Sequence, residues 1–314
     1  MSQHVDYDLV IIGAGPAGMT AGVYAARKQL KTLILSRDIG GQAAWSSDIE
    51  NYLGFSMVTG TQLVEKFHEH LEQFKDTVEL HLVTQGVQSL KKSGSNFILV
   101  YGDNKKVVTS AVIIAGGKLP RELGVKGEHE YLNRGVTYCA WCDGPLFRGK
   151  DIAIIGGGNA ALDAALNVAK MVKQIYIVNN LSKLTADPVM VDKAQEALNI
   201  RIMNETEVVE IQGDKLVKDI VIKHGHSSAS KKLPVEGVFV EIGSVPATNY
   251  LRGVVKLNRA GEIVIDEQNM TNIPGVFAAG DITTVLEKQI ITAAGEGAKA
   301  AIQASQYLAK RDNS

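Results

Sequence analysis

Cysteine is almost absent from this chain: Cys139 and Cys142 are the only two in 314 residues. That scarcity excludes a disulfide-stapled scaffold and a zinc site built on four cysteines. Histidine does not repair the deficit, because the pairs His68/His70 and His224/His226 are spaced more closely than a zinc-binding pair requires. No metal is expected. An excess of charge is also missing. The 33 basic and 34 acidic side chains leave a net charge of −1, so nothing draws the chain to nucleic acid or to an anionic membrane surface. No apolar run approaches the length that spans a bilayer. The polar, acidic start Met1–Asp8 is wrong for a signal peptide, and a cytoplasmic location is expected. Low-complexity segments and charge blocks are absent as well.

Glycine, by contrast, is placed informatively. The apolar run Asp8–Ile12 ends in Gly13-Ala14-Gly15-Pro16-Ala17-Gly18, a helical stretch continues to Arg27, and Lys31–Leu35 supplies the next strand. This is a strand–turn–helix–strand unit. Gly13 permits the tight turn, Gly15 lets a pyrophosphate approach the backbone, and Gly18 lets the helix pack closely on the strand. The phosphates would sit at the helix N-terminus, where free N–H groups and the dipole favour anions. The pattern recurs as strand Asp151–Ile155, turn Gly156/Gly158/Ala161, helix Leu162–Val172 and strand Gln174–Val178. The two turns are too far apart to share one unit, so they define two nucleotide-binding folds. Asn96–Val100 and Lys106–Thr109 read as a hairpin running into Ala111–Gly117, and residues 208–242 repeat the theme. The tail Gly275–Asp281 reads as a strand ending in Gly-Asp, with a periodic helix from about Gln289 to Ala309. The expected fold class is α/β, with two Rossmann-like, three-layer ββα domains.

The cysteine pair lies shortly before the second glycine turn. Two thiols separated by two residues can close a small ring in which one sulfur's pKa is readily lowered, so the pair shuttles between dithiol and disulfide. As a purely structural bridge so small a loop would constrain little. A redox pair joined to two dinucleotide turns suggests a flavoprotein that moves electrons to or from a disulfide.

Gly40-Gly41-Gln42, Glu50–Phe55, Arg134–Gly144, Phe147–Lys150, Ala278–Asp281 and Lys288–Gly297 carry a resemblance that spans nearly the whole chain. The sequence resembles the low-molecular-weight thioredoxin reductases and the C-terminal part of the flavoprotein subunit of alkyl hydroperoxide reductase. The resemblance implies a discontinuous FAD domain, residues 1–119 and 247–314. Into it is inserted a central disulfide and pyridine-nucleotide domain, residues 120–246, reached through linkers at Leu119–Arg121 and Ser244–Pro246. It implies that Gly13, Gly15, Pro16 and Ala17 hold the FAD pyrophosphate, that Gly41, Gln42 and Asn51 lie along the flavin, and that Asp281 bonds the ribityl chain. Gln289, opening the last helix, falls at the pyrimidine edge, where a helix N-terminus stabilises negative charge. Ala115, Gly116, Gly280, Lys288 and Ile290 complete that pocket. Cys142 is implied as the flavin-facing thiolate, Cys139 as its partner, and Asp143 as the acid–base residue. A homodimer is implied too. Trp141 departs from the small or polar residues common between such cysteines.

Two further departures matter. The acid that usually meets the ribose after the second strand is replaced by Ser36, with Asp38 two positions on. In the second unit the strand is followed by Asn179-Asn180-Leu181-Ser182-Lys183, and no arginine occurs between Arg148 and Arg201. A 2′-phosphate carries close to two charges, for which Lys183 alone is a poor clamp, so NADPH is disfavoured. NADH usually meets a carboxylate where Asn179 stands. The intact Gly156 and Gly158, with Asn159 and Ala160 beside them, still suit a pyrophosphate, and NADH is the favoured donor over ferredoxin or another non-pyridine donor. The expected partner is a thioredoxin-like or glutaredoxin-like protein. The alternatives are a peroxiredoxin system, reached through a separate carrier, and a flavin redox sensor without turnover.

Overall fold

The computed structural model describes residues 4–46, 49–225 and 229–312. His226 and the side chain of Trp141 lie outside what it describes. Contacts divide the chain into two compact units, Met1–Leu119 with Val245–Ser314, and Pro120–Ser244. The second crossing thus falls two residues earlier than the 246/247 boundary read from sequence.

In the first unit a parallel sheet runs in the order Val78–Leu82, Thr32–Ser36, Tyr7–Ile12, Lys105–Ile114. Val276–Ala278 lies parallel to the end of Lys105–Ile114. The first half of that long strand instead pairs antiparallel with Asn96–Tyr101, which pairs with Val87–Ser93. Because side chains alternate across a strand, one strand feeds two layers. Leu9 and Ile11 pack under the helices, with Ala21, Ala25, Ala300 and Ala304. Val10 and Ile12 pack the other way, against Leu90, Phe97 and Leu99. The helices on the first face are Pro16–Arg27, Gly60–Glu72 and Ile290–Asp312.

The second unit repeats the plan. Its parallel sheet has the order Ile200–Met203, Gln174–Val178, Asp151–Ile155, Gly237–Val240, Val136–Thr137. Ile152 and Ile154 face the helices Asn159–Val168 and Pro188–Glu196. Ala153 and Ile155 face an antiparallel layer of Thr206–Gly213, Val217–His224 and Ser230–Pro234. Each unit is therefore a three-layer ββα fold, as the sequence implies. The helix after the second glycine turn opens at Asn159, three residues before the expected Leu162, and closes at Val168 rather than Val172. No described helix is long and apolar enough to cross a membrane.

Candidate functional site

The first glycine turn is set by backbone geometry. Gly13 has φ +108°, and a Cβ placed on it would lie 2.3 Å from the Ala115 carbonyl oxygen, so only glycine fits. The turn delivers the chain into Pro16–Arg27 with proline in the first helical turn, where its missing N–H costs nothing. Ser36, at the end of the neighbouring strand, accepts from the Ala14 N–H at 2.9 Å and donates to the Asp38 carbonyl at 2.6 Å. Asp38 accepts from the Gly41 N–H at 3.0 Å. The two residues that stand in the ribose-binding acid's place thus shape the turns around the cavity.

That cavity has a volume of about 620 Å³, within the range of ordinary ligand pockets. Every cofactor-binding residue named from sequence lines it: Gly13, Gly15, Pro16, Ala17, Gly41, Gln42, Asn51, Ala115, Gly116, Gly280, Asp281, Lys288, Gln289 and Ile290. Gln42 Nε2 donates to the Lys118 carbonyl at 2.9 Å, and Asn51 Nδ2 to Gln289 Oε1 at 3.0 Å. Gln289 precedes the helix proper, and its carbonyl accepts the first helical N–H, from Ala293.

Three sets of polar groups look into the cavity without partners of their own. In the first turn of Pro16–Arg27 the Ala17 and Gly18 N–H groups are free by construction, while Met19 already donates to the Gly15 carbonyl. The Tyr250 hydroxyl is buried with no hydrogen-bond partner among the described residues, and burial pushes its pKa up. The Asp281 carboxylate also has none there; burial raises its pKa, against the pull of Lys288 and Lys118. A long ligand with a central diphosphate and several hydroxyls would satisfy all three sets, so the residues present fit FAD.

Residues that sequence reasoning missed support this cavity from behind. Glu296 accepts from the Gly280 N–H at 2.7 Å and fixes the Gly-Asp turn, its own pKa raised by burial against the help of that N–H. Glu262 bridges Lys118 and Lys288, each at 3.4 Å. Nothing local in the sequence marks either acid, because its partners come from distant segments.

In the second unit Cys139 and Cys142 form a disulfide with Cα atoms 5.3 Å apart. Cys139 caps the four-residue helix Ala140–Asp143, and its sulfur accepts from the Cys142 N–H at 3.1 Å. The Cys139 N–H donates to Thr137 Oγ1 at 3.0 Å, and the Thr137 hydroxyl donates to Asp143 Oδ2 at 2.6 Å. Asp143 is thereby tethered to the backbone that carries the sulfurs. Thr137, unnoticed in the sequence, is the tether.

Behind the cysteines lies the second glycine turn. Gly156 and Gly158 close the strand Asp151–Ile155, and Asn159 and Ala160 open the helix. The segment after the next strand folds back over this turn. Thr185 N–H donates to the Gly157 carbonyl at 2.7 Å, while Asn159 and Asp187 exchange bonds of 3.1 and 2.8 Å. Asn179 is buried, and its amide is spent internally. Nδ2 donates to the Leu181 carbonyl at 3.2 Å and to Asn204 Oδ1 at 2.9 Å, and Oδ1 accepts from the Leu181 N–H at 3.3 Å.

Glu241 follows the strand Gly237–Val240 and sits against both motifs. Its carbonyl lies where a Cβ on Gly156 would approach to 2.2 Å, and its carboxyl faces the Ala140 N–H. Burial pushes its pKa up to about 7; Asp163 adds to the rise and the Ala140 N–H opposes it.

Residues 7–297 match the model of the pyridine nucleotide-disulphide oxidoreductase family. The chain is 38% identical over 304 residues to an alkyl hydroperoxide reductase component of Pseudomonas aeruginosa, a match covering 96% of this chain and 58% of that protein. It is 37% identical over 303 residues to a NADH dehydrogenase of Bacillus subtilis, covering 96% and 58%. The chain thus spans 58% of the length of these curated relatives. Among solved structures, thioredoxin reductase of Lactococcus lactis superposes with a TM-score of 0.85 at 36% identity, covering 97% of this chain and all of that one.

Proposed function

Because the chain belongs to the pyridine nucleotide-disulphide oxidoreductase family, and is a flavin-dependent disulfide oxidoreductase of the thioredoxin reductase type, we propose that it passes electrons through Cys139–Cys142 to the disulfide of a thioredoxin-like partner, with NADH preferred to NADPH as donor. The observation that carries this reading is the disulfide itself, closed across the first turn of Ala140–Asp143 with Asp143 tethered beside it.

Bound FAD supplies the two electrons that open the disulfide. Gly15 and the Ala17 and Gly18 N–H groups would hold its diphosphate, Asp281 would accept from its ribityl hydroxyls, and Lys118 and Lys288 line the same wall as cations. When the Sγ–Sγ bond breaks, each sulfur takes a proton or remains a thiolate. The resemblance implies Cys142 as the thiolate that faces the flavin; for attack on the partner, the Cys142 N–H aimed at the other sulfur favours Cys139 as the one that keeps the charge. It therefore attacks the partner disulfide, and Cys142 resolves the mixed disulfide, releasing the reduced partner. Asp143 moves the proton at Cys142, its carboxylate oriented by Thr137.

The donor preference rests on the second glycine turn. The segment between Arg148 and Arg201 holds no arginine for a 2′-phosphate. The relative named NADH dehydrogenase supports the same choice. Losing one charge-assisted contact costs about 1.5–3 kcal/mol, roughly one to two decades in affinity. Anaerobic bleaching of the flavin by NADH is therefore expected to run at least tenfold faster than by NADPH, by order of magnitude. Faster bleaching by NADPH overturns the donor assignment. Bleaching by reduced ferredoxin alone replaces the donor and leaves the disulfide chemistry standing.

A further inference from the structure

One carboxyl group close to the disulfide has no part in the scheme above. Glu241 is pinned by its backbone: its N–H donates to the Ile155 carbonyl at 2.8 Å, and its own carbonyl packs on Gly156. Its side chain is thus held against Ala140, the residue that follows Cys139. Two N–H groups in one short turn then have two acceptors. The Cys142 N–H faces the Cys139 sulfur, and the Ala140 N–H faces the Glu241 carboxyl.

Among the described residues, the groups around Glu241 offer no cation. The helix Asn159–Val168 presents Asp163, the glycine turn presents only backbone, and the short helix with its cap carries Cys142, Cys139 and Asp143, which is tied to Thr137. A negative charge developing on Cys139 would meet a second one within the same short turn, in a half-buried place, and like charges so placed are not both retained cheaply.

We propose that Glu241 is a positioning residue of the disulfide, whose carboxyl takes up a proton when the Cys139–Cys142 bond is reduced and so ties the dithiol–disulfide balance to pH. The inference rests on the redox role of the cysteines given above. The step balances simply. Two electrons, which bound flavin would supply, break the Sγ–Sγ bond; Cys142 and Glu241 each take one proton from the buffered solvent and Cys139 remains a thiolate, so that a thiolate replaces a carboxylate as the one anion. Below the range in which Glu241 is ionised it has no proton to gain, and the coupling vanishes.

The test compares the FAD-loaded full chain with its Glu241→Gln variant, equilibrated against a dithiothreitol buffer from about pH 6 to pH 9, with free thiols trapped by alkylation. At about pH 8.5 the variant lacks the opposing carboxylate, and its equilibrium is expected to shift toward the dithiol by about tenfold. At about pH 6 wild type is already neutral there, and the two proteins are expected to agree within about twofold. An equal shift at every pH, or no shift at any, overturns the inference. Infrared difference spectra of the wild-type protein supply a check that needs no variant. Reduction at about pH 8 is expected to add a protonated-carboxyl band, and its absence overturns the inference. A disulfide that resists reduction at every pH overturns both this inference and the function on which it rests.

Discussion

Asn179 stands where a dinucleotide-binding fold places the group that reads the ribose, yet its amide is turned inward to Leu181 and Asn204. Both donors of Nδ2 face oxygen acceptors. Asn179→Asp, the obvious change to favour NADH, would set a carboxylate against those oxygens and is expected to cost about 1–3 kcal/mol. That corresponds to a fall in melting temperature of roughly 3–10 °C. A melting curve and an NADH titration check this; tighter NADH binding at unchanged stability would show that the side chain is free to turn outward. Glu241 gives a pH dependence of opposite sign to the usual acidic residue. Its folded pKa of about 7 lies above the ordinary 4.5, so the stability it contributes is present below about pH 4.5 and is lost as pH rises through 7. Glu241→Gln is expected to flatten that part of the stability–pH curve, and chemical denaturation at pH 5 and 8 reads it. Sequence alone exposed the cysteines and the glycines, because their chemistry depends on neighbours a few positions away. Thr137, Glu241 and Glu296 were not legible, and of Ser36 only the position and not the role was, since each acts on a backbone group contributed by another segment or placed by a turn.

At the scale of elements, the strand–turn–helix units were plain in the sequence because alternation and glycine spacing are local signals. Where the helices end was less plain. The helix after Gly158 opens at Asn159 and closes at Val168, since Ala169–Met171 tighten into a turn that no proline or glycine announces. Nor does periodicity show how close two helices lie. A Cβ on Gly297 would approach the Ala17 carbonyl to 2.0 Å, so the helix Ile290–Asp312 rests directly on the backbone of Pro16–Arg27 at the turn that faces the cavity. Gly297→Val should force the two helices apart and cost about 1–3 kcal/mol by overpacking. Because Ala17 lines the cavity, FAD should also bind more weakly. Thermal melts with and without added FAD test both effects together. A variant with normal melting and normal flavin content would mean that the helix crossing does not shape the site.

At the scale of the whole molecule, two units of the same design carry different equipment. One surrounds a cavity whose free N–H groups, Tyr250 hydroxyl and Asp281 carboxylate suit FAD. The other carries the disulfide, its tethered Asp143 and a glycine turn without arginine. Two repeated glycine turns made the doubling of the fold legible from sequence. The contact boundary at Ser244/Val245 falls two residues before the 246/247 boundary that the resemblance implied. In the proposed function, electrons leave this molecule by way of Cys139 and Cys142. The most direct measurement is anaerobic turnover of a thioredoxin-like disulfide protein by the flavin-loaded chain, its Cys139→Ser variant and its Cys142→Ser variant, with flavin content recorded for each. Both variants are expected to keep their flavin and to lose turnover by about three decades or more, since the pair acts as a unit. Turnover near the wild-type rate in either variant would contradict the account.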